Sequence, residues 1–220
     1  MITLSQLREG VYDPNIFKAI FLAGGPGSGK SYVAGKTIRG QGLKMVNSDD
    51  AFERLLKKAG LSLKMPENEK GPRNKQRDRA KALTKARTTN YIEGRLGLVI
   101  DGTGKDYNKI TKQASELQQL GYDTYMIFVN TSLDVALERN ASRQRSIPEN
   151  LVASSWKSVQ ANIGKFSLFF KQGMLIVDNN DADEEVFTTV YKRLRGLLKK
   201  PVQNGRAKQW IQTQLDLKKR

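Results

Sequence analysis

The stretch Phe21–Tyr32 reads FLAGGPGSGKSY, and its reading decides the fold. Gly24, Gly29, Lys30 and Ser31 fit G-x-x-x-x-G-K-[ST], in which glycine-rich backbone N–H groups wrap phosphate oxygens, a lysine reaches the outer phosphates and a hydroxyl binds Mg²⁺. The same letters also arise in an ordinary glycine-rich turn, so the flanks matter. Upstream, Ala19 to Ala23 is a continuous apolar run suited to a buried parallel strand. Downstream, Val33, Ala34 and Ile38 recur at helical spacing, which aims a helix N-terminus at a bound anion. The loop is therefore expected to bind phosphate through Gly25, Gly27, Ser28, Gly29, Lys30, Ser31 and Tyr32. A plain strand-turn-helix connection is the alternative.

Working outward, four further apolar runs read as strands: Leu43 to Asn47, Leu96 to Asp101, Thr124 to Val129 and Met174 to Val177. Helical patterns separate them, over Asp50 to Ala59, Asn74 to Glu93, Asp106 to Leu120, Ser132 to Arg143, Pro148 to Ile163 and Asp183 to Lys199. In the fourth of these, Leu133, Val135, Ala136 and Leu137 are expected inside. Leu61 to Arg73, rich in Lys, Pro and Gly, reads as a mobile loop. Alternating strands and helices argue for an α/β fold, a five-stranded parallel sheet with helices on both faces and ligands at its carboxyl edge. The expected organisation is an N-terminal extension (1–17), one core domain (18–200) and a basic tail (201–220) whose short helix packs through Trp210, Ile211 and Leu215. Within the core, 61–95 forms a basic loop and helix and 139–150 a lid-like segment.

Composition narrows the chemistry. The 220 residues contain no Cys and no His, which removes thiolate nucleophiles, imidazole bases, disulfides and Cys/His zinc sites. Any general base is then Asp or Glu, and any metal a hard ion held by oxygen, Mg²⁺ being favoured beside a phosphate loop. The net charge of +16 is uneven: Glu53 to Arg95 nets +8 and Lys192 to Arg220 nets +9, leaving the rest at −1. Such segments suit a polyanionic partner; a solvated helix face is the alternative. Neither a membrane span nor a signal peptide is expected, and the default location is cytoplasmic.

The motifs follow the strands to the carboxyl edge: GGPGSGKS after the first, NSDD after the second, DGTG after the third, and an arginine cluster one helix after the fourth. Asp49 and Asp50 follow the second strand; one is expected to enter the cleft and the other to cap the next helix. Asp49 is the candidate base for an acceptor hydroxyl, with a bare N-cap as the alternative. Asp101 ends the third strand, where a carboxylate holds Mg²⁺ through water or orients Ser31. Thr103 either touches the acceptor or a phosphate, or merely makes a turn. Arg139, Arg143 and Arg145 form a cationic group before Pro148, suited to closing on a transferring phosphoryl group or to plain surface charge.

Taken together, GGPGSGKS, VNSDD, the DGT turn and LERNASRQRSIPENLV resemble the 5′-kinase domain of phage-type polynucleotide kinases and, more loosely, the zeta-toxin branch of P-loop kinases. The resemblance spans about Lys18 to Asn162. It implies a strand order of 2-3-1-4-5, ATP and Mg²⁺ as cofactors, Asp49 as the activating carboxylate, Lys30 and Ser31 as phosphate and Mg²⁺ ligands, and Arg139 and Arg143 as lid arginines. Polynucleotide kinases carry Tyr-Arg after the paired aspartates, where this chain has Ala51 and Phe52, and place Asp directly before Thr, where it has Gly102. The basic helix and tail lie outside the match.

The residues leave three functions open: a kinase acting on the 5′-hydroxyl of a polynucleotide or nucleotide, a small-molecule kinase acting on a nucleotide sugar, or a nucleic-acid-binding protein in which ATP is a ligand without transfer.

Overall fold

The computed structural model describes residues 10–64, 66–143 and 146–219. Five strands, β1 (Lys18–Ala23), β2 (Lys44–Val46), β3 (Leu98–Asp101), β4 (Asp123–Asn130) and β5 (Met174–Asp178), pair in parallel in the order β2-β3-β1-β4-β5. Helices α1 (Lys30–Thr37), α2 (Ser48–Lys58), α3 (Lys70–Glu93), α4 (Tyr107–Gln119), α5 (Leu133–Ala141), α6 (Glu149–Gln160), α7 (Ile163–Phe170), α8 (Glu184–Leu198) and α9 (Gly205–Lys218) make the crossovers and flanks.

Strand periodicity sorts the core into two layers. Ile20, Leu22, Val99, Ile127 and Val177 face α1 and α8, where Val33, Phe187 and Leu194 complete the packing. Ala19, Phe21, Leu98, Met126 and Phe128 face the opposite way, against Ala114 and Leu117 of α4, Phe166 and Phe170 of α7, and Ala207 of α9. A third, small cluster joins Ala51, Phe52 and Leu56 of α2 to Ala80 of α3. No described helix is long and apolar enough to cross a membrane.

Three local readings need correction. The helix after β2 begins at Ser48, because Asn47 caps it by accepting from the Asp49 N–H at 2.7 Å; neither aspartate is the cap. The segment expected as a loop from Leu61 to Arg73 instead contains a 3₁₀ turn, Glu67–Glu69, that runs into α3 at Lys70. Pro72 falls in the first turn of α3, where its missing N–H has no helical partner to lose. Of the four residues expected inside α5, only Ala136 is buried. The helix Ile163–Phe170 adds an element where no structure was expected, and buries Phe166 and Phe170 at i,i+4. In the C-terminal helix, Trp210 and Ile211 do pack on the core, Trp210 edge-on to Phe17 at 5.5 Å.

At the opposite end of the sheet from the phosphate loop, Lys18 opens β1 with a side chain only 2% exposed and donates to Asp123 Oδ2, at the start of β4, at 2.5 Å. A buried ammonium that loses its partner is strongly disfavoured. Asp123→Ala is expected to cost about 3 kcal/mol in urea unfolding. Adding Lys18→Met to that variant should recover most of the loss, and a double variant no more stable than the single would show that the ion pair is not the reason.

Candidate nucleotide and phosphotransfer site

The loop between β1 and α1 is shaped from three directions. Gly24 donates its N–H to the Thr103 carbonyl at 3.1 Å, which ties the start of the loop to the turn after β3. Gly27 has φ +77°, and a Cβ there would stand 2.1 Å from the Ala136 carbonyl oxygen, so α5 presses directly on the loop backbone. Gly29, at φ +81°, lies against the amide of Asn179, which donates to the Ser28 carbonyl at 2.8 Å from the end of β5. α1 then begins with no side-chain cap among the described residues. Its first-turn N–H groups are left for an anion.

Lys30 turns back into this loop and donates to the Gly24 carbonyl at 2.6 Å. Burial pushes its ammonium below the ordinary lysine value; the carboxylates of Asp101 and Asp49 pull it up, and Arg143 adds repulsion. Lys30, at the start of α1, thus feels charges brought by α2, by the end of β3 and by the segment after α5. Asp101 is raised above the ordinary carboxylate value, first by burial and then by Asp49 and Asp50, with Lys30 opposing. One of its oxygens accepts from the Asn47 amide at 2.9 Å. The other, Oδ1, is buried with no hydrogen-bond partner among the described residues.

Asp101 and Ser31 line the same groove, of about 430 Å³, with Asp50 and Asn47. No group of three or more potential metal-binding side chains exists among the described residues. The donors therefore fit an ion that takes most of its oxygens from phosphate and water, the habit of Mg²⁺.

The remaining sequence candidates divide. Asp49 is largely exposed and stands 3.9 Å from an Arg77 guanidinium nitrogen. Arg139 lies against Gly29 but spends two donors on the Asn179 and Asn180 carbonyls, at 2.6 and 2.8 Å, so it braces the end of β5. Arg143 is exposed and acts on Lys30 through its charge. Thr103 contributes a carbonyl to the loop and leaves its side chain exposed. The Tyr32 ring packs edge-on against Phe187, at 5.4 Å, and its backbone belongs to the first turn of α1. Arg145 lies outside the described residues.

Three residues were not singled out from sequence. Asn47 orients Asp101 and caps α2, a role that an Asn before Ser-Asp-Asp signals. Asn179 stands at the carboxyl end of β5, where the edge rule points. Arg77 had no signal among the many bases of α3.

Parallel sheet, phosphate loop and converging carboxyl edge define a P-loop nucleotide-binding protein of the kinase-like class. The AAA_33 family (AAA domain) matches residues 20–165, and the chain belongs to that family. Solved structures share the fold at low identity. A putative kinase from Chloroflexus aurantiacus superposes with a TM-score of 0.53 at 17% identity, covering 83% of this chain and 98% of the other. The Pnkp1/Rnl/Hen1 RNA repair complex gives 0.52 at 22%, covering 69% and 47%. The AvrRxo1-ORF1:-ORF2 complex with ATP gives 0.57 at 15%, covering 86% and 65%. No curated protein matches the sequence significantly.

Two outcomes follow from the geometry. Gly27→Ala is expected to lose about 1–3 kcal/mol by overpacking on Ala136 and, with it, thermal stabilisation by added ATP. Gly35→Ala, in the open middle of α1, should instead gain up to about 1 kcal/mol and keep the ATP response.

The second concerns Asp101, whose folded-state value lies above its unfolded one, so the fold favours the protonated form. Its stabilising contribution is full below the ordinary carboxylate range and is lost as pH rises through the raised value. Asp101→Asn should therefore unfold at higher urea than the wild type at about pH 7 and lose that advantage at about pH 3; equal midpoints at both would contradict the shift.

Proposed function

We propose that the protein is an ATP-dependent phosphotransferase whose acceptor is a hydroxyl, most specifically the 5′-hydroxyl of a polynucleotide or nucleotide. The observation that carries this reading is the meeting of three groups at the carboxyl edge: the phosphate-loop lysine Lys30, bonded to its own loop, the solvent-accessible carboxylate of Asp49, and the half-buried carboxylate of Asp101 with one buried, unpartnered oxygen, both carboxylates acting on the Lys30 charge.

In this reading the loop N–H groups and Lys30 hold the triphosphate of ATP. Ser31 and Asp101 are the residues that would hold Mg²⁺, which supplies charge neutralisation on the phosphate oxygens when bound. The acceptor hydroxyl lies against Asp49, in line with the γ-phosphorus. As the new O–P bond forms and the bond to the β-phosphate oxygen breaks, the hydroxyl proton passes to the Asp49 carboxylate and ADP departs. Arg143, exposed at the end of α5, is free to approach the transferring group, while Arg139 fixes the wall behind it. The polynucleotide acceptor is favoured by the concentration of charge in the two basic segments. A small phosphorylated metabolite is the second reading, favoured by the groove of about 430 Å³ beside Ser31 and Asp101, which is of small-molecule size.

Transfer of labelled γ-phosphate should be measured against 5′-hydroxyl oligonucleotides, nucleosides and nucleotide sugars. Oligonucleotide labelling is expected, abolished by Lys30→Ala and lowered about 100-fold or more by Asp49→Asn. Full activity in Asp49→Asn would remove the proposed base; labelling of nucleotide sugars alone would select the second reading.

A further inference from the structure

We infer that one side of α3 is the docking surface for the acceptor, a single-stranded nucleic acid, and that Arg77 couples strand docking to Asp49; this rests on the polynucleotide reading above. α3 carries eight Lys/Arg against two acids, Asp78 and Glu93. Four of the bases, Arg73, Arg77, Lys81 and Lys85, recur at every fourth residue. Positions four apart are neighbours on the helix surface, each step turning about 40° and rising about 6 Å. That rise is comparable to the separation of successive phosphates on an extended strand, so Arg77, Lys81 and Lys85 offer one cation per phosphate over about 12 Å.

Arg73 and Arg77 share with Ala80 the side of the helix that packs on α2, and Lys81 and Lys85 follow along its exposed edge. Ala80 is buried against α2, and Tyr91 and Ile92 pack on the core, which leaves Lys81 and Lys85 exposed. Asp78 sits 3.8 Å from Lys81, both largely exposed, a pair too weak to withhold the lysine from a phosphate. Arg73 is the committed end of the stripe, donating to the Pro66 carbonyl at 3.1 Å.

Arg77 differs from its neighbours. Its guanidinium lies 4.1 Å above the ring of Phe52, which is buried, and a nitrogen stands 3.9 Å from Asp49 Oδ1. The contact with the ring holds the guanidinium beside Asp49, and the distance to that carboxylate is too long for a hydrogen bond, so donors remain to be shared with a ligand. A hydroxyl resting on Asp49 thus brings the nearest phosphate of its own strand to Arg77, and Lys81 and Lys85 take those that follow. Arg77 is a positioning residue in this arrangement. With Phe52 covered by the guanidinium, the surface reads backbone charge and not bases, so binding is sequence-tolerant.

The test uses the full chain and a 3′-labelled single strand of about 20 nucleotides, longer than the stripe. Equilibrium binding is followed by fluorescence anisotropy across a salt series without ATP, beside the γ-phosphate transfer assay. Lys81→Ala/Lys85→Ala is expected to weaken binding about tenfold and to flatten the slope of log K against log salt by about 1.4, two phosphate contacts on a single strand. Arg77→Lys should keep the affinity within about threefold yet lower kcat about tenfold, because charge is retained and the planar fork is lost. An unchanged salt slope in the double lysine variant overturns the surface, and wild-type kcat in Arg77→Lys overturns the coupling. Strand binding that depends on Lys81 and Lys85 without any phosphorylated product supports the surface while removing the kinase reading. Transfer to small acceptors with no strand binding does the reverse.

Discussion

The carbonyl oxygen of Ala136 occupies the space that a side chain at position 27 would need, and much of the architecture serves that contact. A phosphate-wrapping loop must point several N–H groups inward, a curvature the backbone does not hold by itself. Here α5 presses on it from one side, the Asn179 amide grips the Ser28 carbonyl from another, and the turn after β3 receives the Gly24 N–H. Arg139 and Asn180 then bind α5 to the end of β5, with the Asn180 side chain accepting from the Ser132 N–H at 2.7 Å. The elements that shape the loop are thereby fastened to one another as well as to it.

Around that loop the charge is arranged in depth. Lys30 and Asp101 are drawn out of water and each is shifted toward its neutral form, while Asp49, Asp50 and Arg143 remain at the solvent side. The chain has no histidine or cysteine, so the polar groups gathered there are carboxylates, a lysine, an arginine and a hydroxyl. The α2–α3 pair brings a guanidinium to the solvent-side carboxylate and hangs a basic helix beside it.

Much of this was legible in the chain. The apolar runs and the glycine loop located the strands and the parallel sheet, and family resemblance supplied the order 2-3-1-4-5 that the structure shows. What escaped was either local competition or long-range pairing. Pro72 reads as a breaker, yet it is tolerated in a first turn, so the start of α3 was hidden. Asn47 outcompetes two aspartates as a cap. Arg77 looks like any other base of its helix until Phe52 and Asp49 are seen beside it. Lys18 finds Asp123 only because β1 and β4 pair in parallel, which no local pattern announces. At the site, positions at strand ends were readable because the fold rule fixes them, whereas the bonds of Arg139 to the Asn179 and Asn180 carbonyls and the contact of Tyr32 with Phe187 come only with folding.

The hydrogen bond from Lys30 to the Gly24 carbonyl makes the lysine its own loop's internal ligand. The ammonium bridges the two ends of the loop, holding it curved around a cation that is already in place. Arrival of a phosphate is then an exchange of one acceptor for another, with little new ordering of the chain. Selectivity for anions of high charge follows, because a weakly charged oxygen offers the ammonium no better partner than the carbonyl it would have to leave.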